Sequence, residues 1–137
     1  MNSYGLPPVS DANKSLALAG LADNWQVAPL ALARAYARLV RESRAREPEI
    51  FSGMQSSAAT GTAHAVSLVL SGRSALAKTG TARCTHTPRG AADGFTVILY
   101  PADDPRIVLL TRVHGVTGAV AAVTAAQMLR SLEIEAP

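Results

Sequence analysis

Two apolar, β-rich runs separated by a short turn constrain the fold of this chain more than any other feature. Residues 94–100 read GFTVILY, residues 106–111 read RIVLLT, and the segment PADDP joins them. Strand-forming residues on either side of a turn rich in Pro and Asp predict an antiparallel hairpin. Both runs are apolar at odd and even positions alike, so we expect helices to cover both faces of the sheet.

A helix is predicted upstream of the hairpin, from residue 27 onward. Pro29 is tolerated in a first helical turn, and Leu32 and Leu39 belong to an apolar stripe at helical spacing. Arg38 and Glu42 lie on the other side of this helix, four residues apart. This pattern is typical of a solvated face with one local ion pair.

The segment between that helix and the hairpin contains weaker signals. The charged stretch through Pro48 predicts the end of the helix and then a loop, in which Ile50, Phe51 and Met54 form a short apolar patch that docks on the core. Residues 60–72 predict a second, shorter helix that ends at Gly72. Residues 74–84 predict a third strand, with lower strand propensity than the hairpin.

The C-terminal part predicts one more helix. Thr117 is suited to cap an alanine-rich helix over residues 118–129, and we expect Val120, Val123, Ala126 and Met128 to lie on the sheet. The order of helices, strands and helix indicates an α+β fold with an antiparallel sheet of about three strands. With 137 residues we expect a single domain, in which 1–18 form an irregular lead-in, 19–72 helices, 73–116 strands and 117–131 the last helix.

The sequence Lys78-Thr79-Gly80-Thr81 lies just before the hairpin. K-T-G is the third motif of penicillin-binding proteins and class A β-lactamases, beside S-x-x-K and S-D-N. The segment GTA at residues 61–63, the PADDPR turn at residues 101–106 and the helix at residues 25–36 are similar to the corresponding segments of penicillin-binding-protein transpeptidases. The chain therefore resembles the C-terminal half of such a transpeptidase domain, from about residue 18 to residue 129.

The resemblance implies a role for each residue of the motif. Lys78 is the expected catalytic residue, and it would supply positive charge to the terminal carboxylate of a peptidoglycan stem peptide or a β-lactam. The hydroxyls of Thr79 and Thr81 would contact the same carboxylate, and the Thr81 backbone N–H would stabilise the oxyanion. Gly80 would let the ligand approach and pair with the strand edge. The alternative is an ordinary strand edge with a solvated lysine and a glycine bulge.

The chain departs from the family at the nucleophile. It contains no Ser-x-x-Lys and no Ser-x-Asn; Ser74 precedes Lys78 by four residues, as Ser10 precedes Lys14. In Ser-x-x-Lys both side chains share one face of a helical turn, so that the lysine can accept the proton of the serine. We therefore expect the chain alone not to form an acyl-enzyme, and another chain or segment bearing both motifs to complete the site.

Two other hypotheses remain open. The chain is a noncatalytic binding or scaffold module that kept the fold, or it is part of a longer penicillin-binding protein. The resemblance implies a link to peptidoglycan synthesis and an extracytoplasmic location, whereas residues 1–10 show no export-signal pattern.

Composition argues against several other classes. The net charge of +3 comes from scattered arginines, and aromatic residues make up only 4% of the chain, which disfavours nucleic-acid binding. The apolar stretches are too short to span a membrane. No cofactor or metal is expected: Cys84 and His86 alternate on a possible strand, but two ligands do not make a metal site.

The remaining polar candidates have structural interpretations. His64 and His114 stand in apolar sequence surroundings and are expected to be satisfied, partly buried histidines. Glu47 and Glu49 are expected in a solvated loop. The two aspartates at residues 103 and 104 are expected to act locally in the hairpin turn.

Overall fold

The computed structural model describes residues 4–9, 26–84 and 92–135. These ranges contain four helices and three strands. The helices are α1 (Pro29–Ser43), α2 (Pro48–Ala59), α3 (His64–Val69) and α4 (Gly118–Glu135), and the strands are β1 (Leu76–Arg83), β2 (Ala92–Tyr100) and β3 (Ile107–His114). The predicted α+β fold is confirmed.

The three strands form one antiparallel sheet in the order β1-β2-β3. The hairpin and the third strand are therefore both confirmed. In the register, Gly80 of β1 lies opposite Phe95 of β2, which lies opposite Arg112 of β3. Asp104 and Arg106 form an exposed ion pair at 3.1 Å in the turn between β2 and β3.

Helices cover both faces of the sheet, as the two apolar runs predict. One face packs against α3 and α4, and its buried cluster includes Val66, Leu70, Ala77, Ile98 and Leu129. The other face packs against α1 and α2, and its buried cluster includes Phe51, Met54, Leu76, Val97 and Leu99. Neighbouring residues of a strand alternate between these two cores, because successive side chains point to opposite faces.

Helix α1 begins at Pro29 as predicted, and Arg38 pairs with Glu42 at 3.1 Å on its solvated side. The predicted loop over residues 48–59 is wrong, because this segment forms α2. Helix α1 does end before this stretch, at Ser43, as predicted. Pro48 then starts α2, since a first-turn residue needs no N–H for an intrahelical hydrogen bond. Phe51 and Met54 are buried one turn apart.

Helix α3 ends before Gly72, whose φ of 79° lies in the left-handed region that glycine adopts without strain. This end point agrees with the prediction. None of the helices in the described part of the chain combines the length and the apolarity that crossing a bilayer requires.

Helix α4 begins at Gly118, directly after Thr117, and extends to Glu135. Of the four residues predicted to face the sheet, only Ala126 is buried. Val120, Val123 and Met128 are exposed, so the prediction is wrong for these three. The buried positions are Ala121, Ala122, Ala125, Ala126 and Leu129. Small side chains face the sheet because the helix lies very close to it, which leaves the larger ones on the outside.

Candidate functional site

Strand β1 forms one edge of the sheet, and no strand in the described ranges pairs with its outer side. Its first two residues are buried, whereas Lys78, Gly80 and Thr81 are exposed and Thr79 is half-buried. Every second residue of an edge strand directs its N–H and C=O away from the neighbouring strand. The strand edge can therefore pair with an extended peptide.

The four predicted site residues lie together on this edge but on two faces. Leu76 belongs to the core under α2 and Ala77 to the core under α4. By strand alternation, Lys78 lies on the α2 face with Gly80, and the two threonines lie on the α4 face. The Lys78 ammonium group donates to the carbonyl oxygen of Thr79 at 2.5 Å, so its charge lies beside the strand.

Neighbouring elements hold both threonine hydroxyls. Oγ1 of Thr79 is 2.6 Å from Oγ1 of Thr62, which lies just before α3. Oγ1 of Thr81 accepts a hydrogen bond from the Gly118 backbone N–H at 3.0 Å. Since Thr81 uses its oxygen as an acceptor there, its own hydroxyl proton is not used in that hydrogen bond.

Two glycines let the start of α4 pack directly on the sheet. A Cβ on Gly118 would lie 2.4 Å from the carbonyl oxygen of Gly80, and a Cβ on Gly94 would lie 2.4 Å from the carbonyl oxygen of Thr117. Gly80 differs, because its own Cβ would meet only the Cβ of Phe95, at 4.0 Å. The packing therefore requires glycine at residues 94 and 118, but not at residue 80.

An open groove of about 690 Å³ adjoins the edge on the α1 and α2 side. Leu32 and Tyr36 of α1, and Ile50 and Met54 of α2, supply much of its apolar wall, and Lys78 also lines it. Burial raises the pKa of the Tyr36 phenol, so this side chain stays uncharged at neutral pH. The acidic residue Glu49 also lines the groove. The groove thus presents an apolar surface next to a cation.

A second polar cluster lies at the end of the sheet. Buried Asp93 accepts hydrogen bonds from Arg112 through Oδ2 and lies 2.8 Å from His114 Nδ1 through Oδ1. The pKa of the Asp93 carboxyl is lowered by the His114 hydrogen bond first and then by Arg112, against the raising effect of burial. Cys84 Sγ lies 3.6 Å from the same His114 nitrogen.

The predictions for the histidines and glutamates need correction. His114 is exposed and bonded to Asp93, because the register places an acidic residue opposite it that the local sequence does not reveal. His64 is also exposed, with Nδ1 on the carbonyl oxygen of Ala59. Glu47 and Glu49 lie at the start of α2 instead of in a loop. His86 lies outside the described residues.

Neither the protein-family models nor the curated proteins match this chain. Two solved structures do. The transpeptidase domain of the FtsI4 D,D-transpeptidase from Legionella pneumophila aligns with a TM-score of 0.73 and 24% identity over 98% of this chain. Pseudomonas aeruginosa PBP2, in a crystal structure with WCK 5153, aligns with a TM-score of 0.61 and 21% identity over 88% of this chain.

The chain has a penicillin-binding-protein transpeptidase-like fold. It spans 56% of the Legionella domain and 35% of the Pseudomonas chain. The resemblance inferred from the sequence motifs is thereby confirmed at the level of the fold.

Sequence reasoning missed three features of the β1 edge and its surroundings. The sequence marks Thr62 only as part of the segment GTA, and its hydrogen bond with Thr79 depends on how α3 packs against β1. The close approach of Gly94 and Gly118 left no signal beyond the glycines themselves. The meeting of Cys84 and Asp93 depends on strand register, which sequence spacing does not supply.

Proposed function

We propose that this chain is a transpeptidase-like domain linked to peptidoglycan synthesis, and that its β1 edge binds the carboxylate of a stem peptide or a β-lactam. Because its sequence contains neither Ser-x-x-Lys nor Ser-x-Asn, the domain does not form an acyl-enzyme alone. A second chain or segment with both motifs completes the site. Since the substrate is peptidoglycan, the proposed location is extracytoplasmic.

The exposed β1 edge carries this proposal. It presents the ammonium group of Lys78 and the hydroxyl proton of Thr81 on a strand edge that no other described strand pairs with. A carboxylate is bound best by a cation together with hydrogen-bond donors, and a peptide backbone pairs with a free strand edge. Gly80 leaves the α2 side of the strand open, so a ligand can approach the backbone there.

The groove beside Lys78 is the proposed seat of the completing chain. A nucleophilic serine has to lie within a few ångströms of a substrate held on β1, so its helix has to pack close to Lys78. The groove is apolar, and Ile50 in its wall is 42% exposed. An amphipathic helix that carries Ser-x-x-Lys on one side suits this surface.

Covalent labelling with a fluorescent penicillin tests the proposal. The purified chain is expected to remain unlabelled and not to hydrolyse a chromogenic β-lactam. Proteins retained with the chain during purification from its native host are then sequenced, and one that carries Ser-x-x-Lys and Ser-x-Asn is expected to be labelled in the complex. Labelling of the purified chain by itself would contradict the proposal.

The complex also tests the role of Lys78. Lys78→Ala is expected to lower the labelling rate of the complex by about 100-fold, a typical effect of removing one electrostatic contact to the reacting group. Arg34→Ala, which removes an exposed cation from α1, is the matched control and should leave the rate unchanged. Equal rates for both variants would remove Lys78 from the site.

A noncatalytic scaffold is the second candidate, and the absence of both serine motifs favours it. A scaffold needs no catalytic partner. The same purification separates the two functions, because a scaffold retains no protein with Ser-x-x-Lys, whereas the completed enzyme retains one.

A further inference from the structure

Three potential metal ligands meet at one end of the sheet. Cys84 directly follows β1, Asp93 lies near the start of β2, and His114 ends β3 opposite Asp93. One donor atom from each of them lies within 4.8 Å of the others. The carboxylate binding proposed above uses none of these residues.

The spacing of the donors suits a tetrahedral zinc ion. Zinc bonds of about 2.3 Å to sulfur and about 2.0 Å to nitrogen place two such donors about 3.5 Å apart. Cys84 Sγ lies 3.6 Å from His114 Nδ1. The carboxylate oxygen of Asp93, now 2.8 Å from Nδ1, would move outward by roughly 0.5 Å to reach its position in the same tetrahedron.

His114 Nδ1 lies within hydrogen-bond distance of both the Asp93 carboxylate and the Cys84 thiol. A neutral imidazole nitrogen either donates one proton or accepts one. An Nδ1 that donates to Asp93 therefore cannot also accept a hydrogen bond from the Cys84 thiol. A cation at the centre of the cluster accepts an electron pair from each of the three residues at once.

The surroundings of the cluster also fit a bound cation. Arg112 donates to Oδ2 of Asp93, whereas Oδ1 faces His114, so a metal bound at Oδ1 would leave Arg112 to orient the carboxylate from outside. Cys84 and Asp93 are buried, whereas the His114 side chain is 48% exposed and gives access from solvent. One thiolate and one carboxylate balance the charge of a dication.

We infer that this chain binds one Zn²⁺ ion through Cys84 Sγ, Asp93 Oδ1 and His114 Nδ1. Sulfur and imidazole donors favour zinc over magnesium or calcium, which prefer oxygen. Binding releases the thiol proton and leaves the imidazole proton on Nε2. The ion would link the end of β1 to β2 and β3, and it is independent of the proposed carboxylate site.

The test uses the full chain, stripped of metal by a chelator and titrated with zinc chloride against a chromophoric competitor. One ion per chain is expected. Cys84→Ser, Asp93→Asn and His114→Gln are each expected to weaken binding by more than about 100-fold, beyond the effect typical of an outer-shell partner. His64→Gln, which changes an exposed histidine on α3, is the matched control and should bind as the unchanged chain does.

Cobalt substitution of the unchanged chain reports on the thiolate ligand directly. This measurement does not depend on whether any variant folds. The Co²⁺ form of the unchanged chain is expected to show an intense sulfur-to-cobalt charge-transfer band and the visible bands of tetrahedral cobalt. Absence of zinc binding, absence of the sulfur band, or binding that survives in folded Cys84→Ser and His114→Gln chains would each overturn the inference.

Discussion

Replacing Gly80 with alanine should separate ligand binding from folding. The new Cβ would meet only the Cβ of Phe95 at 4.0 Å, and the φ of Gly80 is not in the left-handed region. Alanine restricts the unfolded chain more than glycine does, a gain of roughly 0.5–1 kcal/mol where the native conformation suits it. We therefore expect Gly80→Ala to be neutral or slightly stabilising.

The same change at Gly118 should have the opposite effect. Its Cβ would lie 2.4 Å from the oxygen and 2.8 Å from the nitrogen of Gly80, so α4 or β1 has to shift. Overpacking of this kind costs about 1–3 kcal/mol. For a domain of this size, each 1 kcal/mol lowers Tm by about 3–4 °C, and the expected loss is about 3–12 °C.

Thermal unfolding followed by circular dichroism measures both variants. Gly53→Ala is the matched control, because it lies within α2 with no atom near its added Cβ and should stabilise the helix by about 1 kcal/mol. If Gly80→Ala unfolds as early as Gly118→Ala, the fold itself needs that glycine and the argument for ligand access fails. If Gly80→Ala folds normally, it should weaken the penicillin labelling of the completed complex.

Two further predictions concern the core and the charged cluster. Leu129→Ala should cost about 2–5 kcal/mol in urea unfolding, whereas Met128→Ala, on the exposed side of α4, should cost less than about 0.5 kcal/mol; similar losses would contradict the observed helix face. Because the folded-state pKa of Asp93 lies below its ordinary value of 3.8, its contribution to stability is present above that value and is lost as the pH falls through the lower folded-state pKa. Asp93→Asn should remove this acid-dependent loss in unfolding measured over a pH series, and an unchanged pH profile would contradict it.

The sheet could be predicted well because the residue types in its strands indicate both strand structure and burial. The runs at residues 94–100 and 106–111 are apolar on both faces, and a sheet of that kind has to be covered by other elements on each face. The clusters around Leu76 and Ile98 confirm this on opposite sides. The K-T-G resemblance likewise placed residues 78–81 on a strand before the hairpin, where the structure has β1.

The helices were harder to predict, for two physical reasons. Pro48 suits both the end of one helix and the first turn of the next, and only the buried positions of Phe51 and Met54 distinguish these cases. In α4, alanine is compatible with every face of a helix, so the larger residues dominated the prediction. The contact of Gly118 with Gly80 brings the helix so close that small side chains are favoured against the sheet.

The β1 edge combines an exposed surface with fixed ends, and this combination matters for binding. Leu76 is buried at one end of the strand, and Cys84 is buried just beyond the other. Between them, Thr79 is tied to the segment before α3 and Thr81 to the start of α4. Edge groups that are already held in place lose little further freedom when a ligand binds. A loose strand with the same sequence would bind an anionic peptide end more weakly, so the packing of α4 against Thr81 contributes to the proposed site.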